Sequence, residues 1–264
     1  MMTKYFLYRH AWRFKGTHHN ETELTKKEVN KLFMNGGWLV RNTYDFDKKE
    51  ENSFWYIIKD NFYGLAENTT KERTKIRKSL KTYDYRIIDV NIIKERGFEL
   101  YKEVLRDYQI KDRKVTYDDF LSLFNNEYEC WGCFEKKTNE FIGFSINYIW
   151  RDACQYEVSA ILPKYKHNST YPYYGLIYSM NKYYLGEKKL KYVSDGSRTI
   201  TEHSNIQDFL MHNFKFRKAY CKLKVHYKWW VGVVVKLLFP FRNVIPFRNV
   251  KAILKMEEYS RKSQ

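Results

Sequence analysis

The spacing of hydrophobic residues changes repeatedly along the second half of the chain, and each change predicts a new element. Alternating apolar and polar positions predict half-buried strands, whereas apolar positions three and four residues apart predict helices. By these criteria the chain contains a strand at 154–162, a helix at 174–185, a strand at 190–195, a helix from Ser204 and a strand at 219–227. The order strand, helix, strand, helix, strand predicts a sheet flanked by helices.

Capping and turn residues predict where these elements begin and end. Gly196 is expected to stop the strand at 190–195, and Ser204 with Gln207 fits the capping box that begins a helix. The preceding part of the chain is predicted to contain, in order, strands and turns over 1–65, a basic helix from Thr69, helices at 97–109 and 117–125, and a hairpin turning at 137–139 with a strand near 141–149.

Over roughly residues 90–228 this order of elements resembles the GNAT-superfamily acyltransferase domain. The last helix of that family carries the pattern N-x-x-A-x-x-x-Y-x-x-x-G-F. In this chain the pattern falls on Ser204, Gln207, Met211 and the pair Lys215 and Phe216, of which the phenylalanine is retained.

Two further stretches concern the branch of the family and its acyl donor. A basic stretch, R-x-x-I-R-K, is similar to one in the divergent Fem-like (FemAB-type) branch and consists here of Arg73, Ile76, Arg77 and Lys78. The family's Q/R-x-x-G-x-G/A loop, which holds the pyrophosphate of acyl-CoA, corresponds to KYKHNSTYPYYGL, where Gly175 is the one glycine. A backbone that approaches phosphates closely favours glycine. Two acyl donors therefore stay open. One is acetyl-CoA or another acyl-CoA, and the other is aminoacyl-tRNA, the donor of the Fem-like branch.

The resemblance implies an α/β (α+β) fold with a GNAT-like mixed central sheet flanked by helices. It also implies three parts. These are an N-terminal α/β extension or partial GNAT-like half over 1–89, an acyltransferase domain over 90–228, and a basic, apolar C-terminal tail over 229–264.

The resemblance further implies roles for individual side chains. Glu157 and Asp195 stand near the places where a GNAT carboxylate takes the proton of the acceptor amine, and Tyr174 is a candidate acid for the leaving group. The implied donor-binding residues are Asn168, Ser169, Thr170 and Gly175, and the implied acceptor-binding residues are Ser197, Arg198 and His203. From the residues alone, a cross-strand partner of a lysine explains Glu157 equally, and a turn-forming role explains Asp195.

The charge of the chain adds a second line of interpretation. The 264 residues carry a formal net charge of +17, and the segments 69–86 and 228–264 contribute +5 and +6 of it. Clustered positive charge favours polyanionic partners such as tRNA or an anionic membrane. A lysine-rich composition without a function explains the same numbers.

The tail over 229–255 combines an apolar run, two tryptophans and interspersed basic residues. This composition predicts a helix in the interface of an anionic membrane, with a helix docked on its own domain or on a second copy in a homodimer as the alternative. The apolar start of a signal peptide is absent, and four cysteines in a chain of this size predict a reducing compartment. We therefore expect a cytoplasmic location, at the inner face of the membrane if the tail binds it.

No metal ligand set is predicted. Cys130 and Cys133 form a C-x-x-C on a predicted strand. Side chains alternate between the two faces of a strand, so residues three apart point to opposite faces, and the two cysteines are interpreted as structural. The function predicted from the sequence is a GNAT-type N-acyltransferase that acts on an amine of a small-molecule, sugar-type or cell-envelope acceptor. The alternative is a non-catalytic basic protein that binds a membrane surface or nucleic acid.

Overall fold

The structure is a computed structural model that describes residues 4–8, 10–107, 115–124, 128–166, 168–200 and 205–264. The chain divides into two compact units. The first comprises Met1–Ile57, Ser197–His203 and Lys218–Gln264, and the second comprises Ile58–Gly196 and Ser204–Arg217. The domain boundaries proposed after residues 89 and 228 stay a prediction.

The second unit contains most of the helices and strands that the hydrophobic pattern predicts. Its helices are α2 (Thr70–Thr82), α3 (Val90–Asp107), α4 (Tyr117–Leu121), α5 (Pro163–Lys166), α6 (Pro172–Asn181) and α7 (Ile206–Phe214). Its strands are β5 (Tyr83–Ile88), β6 (Tyr128–Glu135), β7 (Phe141–Ile149), β8 (Ala153–Ile161) and β9 (Tyr192–Ser197), and a π-helical turn (Lys182–Glu187) extends α6.

The strands of the second unit follow one another as antiparallel neighbours from β5 through β6 and β7 to β8. The next pair, β8 and β9, is parallel. One side of this sheet is covered by α3 and α4, whose apolar side chains form a core with those of β6 and β7: Ile93, Leu100, Val104, Phe120, Phe141 and Phe144. The sheet is therefore mixed and flanked by helices, which confirms the predicted fold class.

The first unit contains strands β1 (Tyr5–Tyr8), β2 (Ala11–Phe14), β3 (Leu39–Lys48) and β10 (Arg217–Tyr227), and helices α1 (Lys26–Met34), α8 (Trp229–Leu238) and α9 (Arg248–Ser263). Strand β2 runs parallel to β3, whereas β1 is antiparallel to β2 and β10 is antiparallel to β3. The division between the units falls within β4 (Trp55–Lys59).

Helix α9 is attached to β10 by hydrogen bonds from two serines. Ser260 and Ser263 both donate to the main-chain oxygen of Leu223, at 3.1 Å each, and Ser263 accepts from the Leu223 amide at 2.9 Å. These bonds satisfy main-chain groups of β10 that lie buried. The end of the predicted tail is thus an integral part of the first unit.

The strands predicted at 141–149, 154–162 and 219–227 are confirmed. The first has the predicted boundaries, and those of the other two differ by at most two residues. The capping boxes of α2 (Thr69 with Glu72) and α4 (Thr116 with Asp119) are present as predicted. Among the described residues, no helix has the length and hydropathy needed to cross a membrane.

Two predicted boundaries are wrong for identifiable reasons. The helix expected to begin at Gly97 begins at Val90, because Gly97 lies inside the helix where a Cβ atom would stand 2.8 Å from Ile93 Cγ2. Gly196 does not stop its strand but lies within β9 with a positive φ of 82°. Helix α7 has Asn205 as its N-cap residue, and the predicted cap Ser204 lies outside the described residues.

Candidate functional site

The parallel pairing of β8 and β9 is short. Their ladder pairs Ala153 with Tyr192 and ends where Gln155 faces Ser194, although β8 continues to Ile161. The amide of Gly196 donates to Ser194 Oγ of the same strand at 3.0 Å.

Asp195 lies on β9 just beyond the end of this ladder and is half-buried. Burial, together with the charge of Glu157, raises the pKa of the Asp195 carboxyl to about 7, against a hydrogen bond from Gln207 that lowers it. A carboxylate that titrates near neutral pH has the property that a general base requires.

Glu157 lies on β8 and is exposed. The amide Nε2 of Gln155 donates to Glu157 Oε2 at 2.6 Å, as expected for side chains two residues apart on one face of a strand. The charge of Glu157 acts on the pKa of Asp195, so the structure brings these two predicted residues together. Their predicted roles in catalysis stay predictions.

Helix α7 connects Asp195 with a second group of polar residues. Gln207, in its first turn, contacts Asp195, and Asn213, in its last turn, accepts a hydrogen bond from Tyr174 at 2.7 Å. Six residues of helix separate Gln207 from Asn213, which is about 9 Å along the helix axis. The hydroxyl of Tyr174 also accepts a hydrogen bond from Lys75 Nζ at 2.9 Å, so a lysine and an asparagine hold the proposed acid.

The residues predicted to bind the donor lie beside helix α2. Asn168 and Thr170 bond to one another and to Tyr83, whereas Ser169 accepts from Lys78 Nζ at 3.3 Å. The ring of Tyr171 lies under the ammonium groups of Lys75 and Lys78, at 5.4 and 5.9 Å. The loop over 168–171 therefore lies against basic side chains of α2, and it is not a glycine-rich turn.

The start of helix α6 is closely packed. The amide of Gly175 donates to Ser79 Oγ at 3.2 Å, and Tyr85 donates to the main-chain oxygen of Pro172 at 2.9 Å. A Cβ atom at Gly175 would lie 2.4 Å from the Tyr85 ring. Gly175 thus allows α6 to approach α2 and β5, and its amide is used within the protein.

Helix α2 presents a cationic face beside this loop. Its buried side holds Glu72, Ile76 and Ser79. Its exposed side carries four basic residues, and Lys71, Lys78 and Lys81 share one face with Arg77 beside them. Because Lys78 contacts Ser169, the cationic face and the polar loop over 168–171 form one surface, which we call the α2 surface.

The predicted acceptor-binding residues belong to the first unit. Arg198 donates to the main-chain oxygen of Ser53 at 2.7 Å, and its guanidinium lies 4.2 Å from the centre of the Tyr259 ring. Ser197 is the last residue of β9 and is half-buried. His203 lies outside the described residues. The predicted binding roles stay predictions.

Burial raises the pKa of the Cys130 thiol to about 11 and that of Cys133 well above its usual value. In the part of the chain that the structure describes, no group of three or more His, Cys, Asp or Glu side chains is arranged to hold a metal ion.

Sequence reasoning missed Gln155 and the role of Gln207. The two-residue spacing of Gln155 and Glu157 on a predicted strand was the signal for the first. The contact of Gln207 with Asp195 joins elements that the sequence separates, so no local pattern reveals it.

Comparison with known proteins gives a consistent result at the level of the fold. No family model and no curated protein matches the chain. Among solved structures, FemX matches with a TM-score of 0.51 and 10% identity over 75% of each chain. The C-terminal domain of a predicted lysylphosphatidylglycerol synthetase from Agrobacterium fabrum matches with a TM-score of 0.53 and 8% identity over 88% of this chain and 82% of that one.

L-PGS from Bacillus licheniformis matches with a TM-score of 0.51 and 12% identity, over 89% of this chain and 77% of the other. At these identities the likeness concerns the fold alone. The chain therefore has the GNAT-like, Fem-like fold that its sequence resembles.

Proposed function

We propose that the chain is an acyltransferase that transfers an acyl group to an amine of a small-molecule or cell-envelope precursor, with Asp195 as the general base. The observation that carries this proposal is the position of Asp195, a half-buried carboxylate where the β8–β9 ladder ends, on a fold shared with FemX. Its pKa of about 7 matches the task, because a base that titrates near the working pH is both deprotonated and basic enough.

The chemistry follows from this position. The acceptor nitrogen attacks the carbonyl carbon of the donor, and the carboxylate of Asp195 takes the proton that the nitrogen loses. A carbon–nitrogen bond forms, the bond from the carbonyl carbon to the leaving oxygen or sulfur breaks, and the leaving atom takes up a proton. Gln207 positions the carboxylate through its hydrogen bond, and the edge of β8 beyond Gln155 pairs with amides of the bound substrate.

For the donor, we propose aminoacyl-tRNA rather than acyl-CoA. The start of α6, where the family pattern would hold a pyrophosphate, is filled by Ser79 and Tyr85. The α2 surface instead offers Lys71, Arg77, Lys78 and Lys81 in solvent beside a polar loop. Such a surface suits the extended phosphate backbone of a nucleic acid, which is bound by several cations at once.

A transfer assay tests the proposal. The chain is incubated with tRNA charged with a labelled amino acid, or with labelled acetyl-CoA, and a panel of amines that includes amino sugars and lysine-containing peptides. We expect label to move from tRNA to an amine, and the substitution D195N to slow this transfer by about 10²-fold or more. Equal transfer by D195N would assign the base to another residue.

Donor binding is tested separately on the α2 surface. The triple variant K71Q/K78Q/K81Q should raise the KM for charged tRNA with little change in kcat and reduce its salt dependence. The matched control K26Q/K27Q/K31Q removes the same charge from exposed lysines of α1 and should leave the KM unchanged. Transfer from acetyl-CoA but not from tRNA would identify acyl-CoA as the donor. Binding of tRNA without transfer to any amine would favour the non-catalytic alternative.

A further inference from the structure

Helix α8 is packed on one side only. Val231 and Val235 are buried and contact Leu254 of α9. These residues recur at a spacing of four, which places them on one face of the ten-residue helix. The buried side chains of its inner face therefore hold the helix in place, and the side chains of its outer face are not needed for this packing.

The outer face of α8 is apolar as well. Its side chains are Trp229, Trp230, Val233, Val234 and Leu237, and Trp229 and Leu237 are 82% and 66% exposed. The segment that follows adds Phe241, Val244 and Phe247, of which Val244 is 77% exposed. We call these residues the α8 surface. A run of large apolar side chains held in water on a rigid helix is typical of an interaction site rather than of an ordinary surface.

The charges around the α8 surface indicate its partner. Residues 228–255 contain Lys228, Lys236, Arg242, Arg248, Lys251 and Lys255 and no Asp or Glu. In a symmetric contact between two copies, the same patch would face itself, so these positive charges would oppose one another. An anionic lipid surface instead accepts both the apolar side chains and the positive charge.

A recess at the start of α8 adds a place for a headgroup. It has a volume of about 720 Å³ and is lined by Phe33, His226, Lys228, Trp229 and Trp230 among others. The Nε2 atom of His226 is buried there without a hydrogen-bond partner within the described part of the protein. Trp229 and Trp230 belong both to the recess and to the α8 surface, so polar and apolar binding features adjoin.

From these observations we infer that the α8 surface docks on an anionic membrane, with the tryptophans and Leu237 in the interfacial region and the basic residues at the level of the lipid phosphates. This inference goes beyond the proposed transfer reaction and does not depend on it. A helix of ten residues is about 15 Å long, and its packed inner face keeps it parallel to the protein surface.

Vesicle co-sedimentation of the full chain tests the inference. The vesicles are equimolar phosphatidylglycerol and phosphatidylcholine, compared with phosphatidylcholine alone, and neither lipid carries an amine that the proposed reaction would modify. We expect binding to the anionic vesicles and a loss of about tenfold or more in V234E/L237E, because two charges would enter the interface. The matched control Y63E adds a charge at an exposed aromatic residue of the second unit and should bind as the unmodified chain does.

Further measurements separate the alternatives. Binding should weaken in about 1 M salt, where the Debye length falls to about 3 Å, and in K228Q/K236Q.

Both glutamates of V234E/L237E replace exposed side chains, so the circular dichroism spectrum of this variant should match that of the unmodified chain. L237S serves as a second variant if V234E/L237E fails to fold. Equal sedimentation of V234E/L237E and the unmodified chain would overturn the inference. Light scattering that shows a dimer abolished by V234E/L237E, without vesicle binding, would identify a second copy as the partner instead.

Discussion

Each of the two units contains a carboxyl group whose pKa is raised by burial. The two groups differ in the hydrogen-bond donors and charges that surround them. Glu21, in the first unit, is 6% exposed and accepts hydrogen bonds at Oε1 from Tyr5 OH, Asn42 Nδ2 and the Thr43 amide, at 2.9, 3.1 and 2.9 Å. Burial raises its pKa, and these bonds lower it in part. Asp195, in the second unit, is half-buried, lies at the end of a ladder, and has another carboxylate, Glu157, close enough to act on its pKa.

The comparison teaches that a raised carboxyl pKa does not by itself identify a functional site. The donors around Glu21 come from two strands of the first unit, β1 and β3, so this side chain joins Tyr5 to Asn42 and Thr43 and acts as a structural link. Asp195 instead stands just beyond the end of the β8–β9 ladder, with a second carboxylate, Glu157, close enough to act on its pKa. The surroundings, rather than the pKa, distinguish the two roles.

The largest expected effect concerns turnover in D195N. We expect kcat to fall by about 10²- to 10⁴-fold, because the amide cannot take the proton of the amine. Circular dichroism and the thermal midpoint of unfolding should show that the fold is retained. If E21Q, which alters the other buried carboxylate, lowered kcat as much, the functional distinction between the two carboxylates would be lost.

The next effect concerns stability, and here the substitution with the large effect is expected at Glu21 rather than at Asp195. E21A leaves the Thr43 amide and the Tyr5 hydroxyl without their acceptor and removes one acceptor of the Asn42 side-chain amide, so we expect a loss of about 3 kcal/mol or more in the free energy of unfolding. E21Q keeps an acceptor at the position of Oε1 and should lose less. Urea unfolding monitored by fluorescence measures both. Equal stability of E21A and the unmodified chain would show that Glu21 does not link its neighbours.

The fold was largely predictable because many of its elements have regular periods. Alternation predicted β8 and β10, and the threonine capping boxes predicted α2 and α4. The two wrong boundaries fell on glycines. Gly97 permits close packing inside α3, and Gly196 takes a positive φ inside β9, yet in a sequence both resemble boundaries.

The site was predictable only in part. Asp195 and Glu157 could be proposed because they stand where a strand of this fold ends or splays. The influence of Glu157 on the pKa of Asp195 and the bond from Gln207 depend on register and on contacts between distant segments. The bond from Gln155 to Glu157 instead follows the two-residue spacing of a strand. Glu21 gave no signal, because its partners at positions 5, 42 and 43 are brought to it by the tertiary structure.

A smaller effect is expected on the pH dependence of stability. The pKa of Asp195 is about 7 in the folded protein, whereas its ordinary value is 3.8. The folded state therefore binds this proton more tightly than the unfolded state does. Stability should therefore fall as pH rises from about 4 to about 7, by about 1–2 kcal/mol once partial exposure is considered. D195N should remove this contribution and be more stable than the unmodified chain above neutral pH. Thermal unfolding across this pH range measures it, and parallel profiles for both proteins would contradict it.

The smallest effect isolates the influence of Glu157 on Asp195. The charge of Glu157 raises the pKa of Asp195, so E157Q should lower that pKa and move the acidic limb of the kcat/KM profile to lower pH. At about pH 6, E157Q should then be roughly two- to threefold more active than the unmodified chain. Because Glu157 is exposed, about 1 M salt should shift the profile of the unmodified chain in the same direction and leave that of E157Q nearly unchanged. A loss of activity in E157Q at every pH would instead make Glu157 the base, and the carboxylate to compare with Glu21 would be the exposed one on β8.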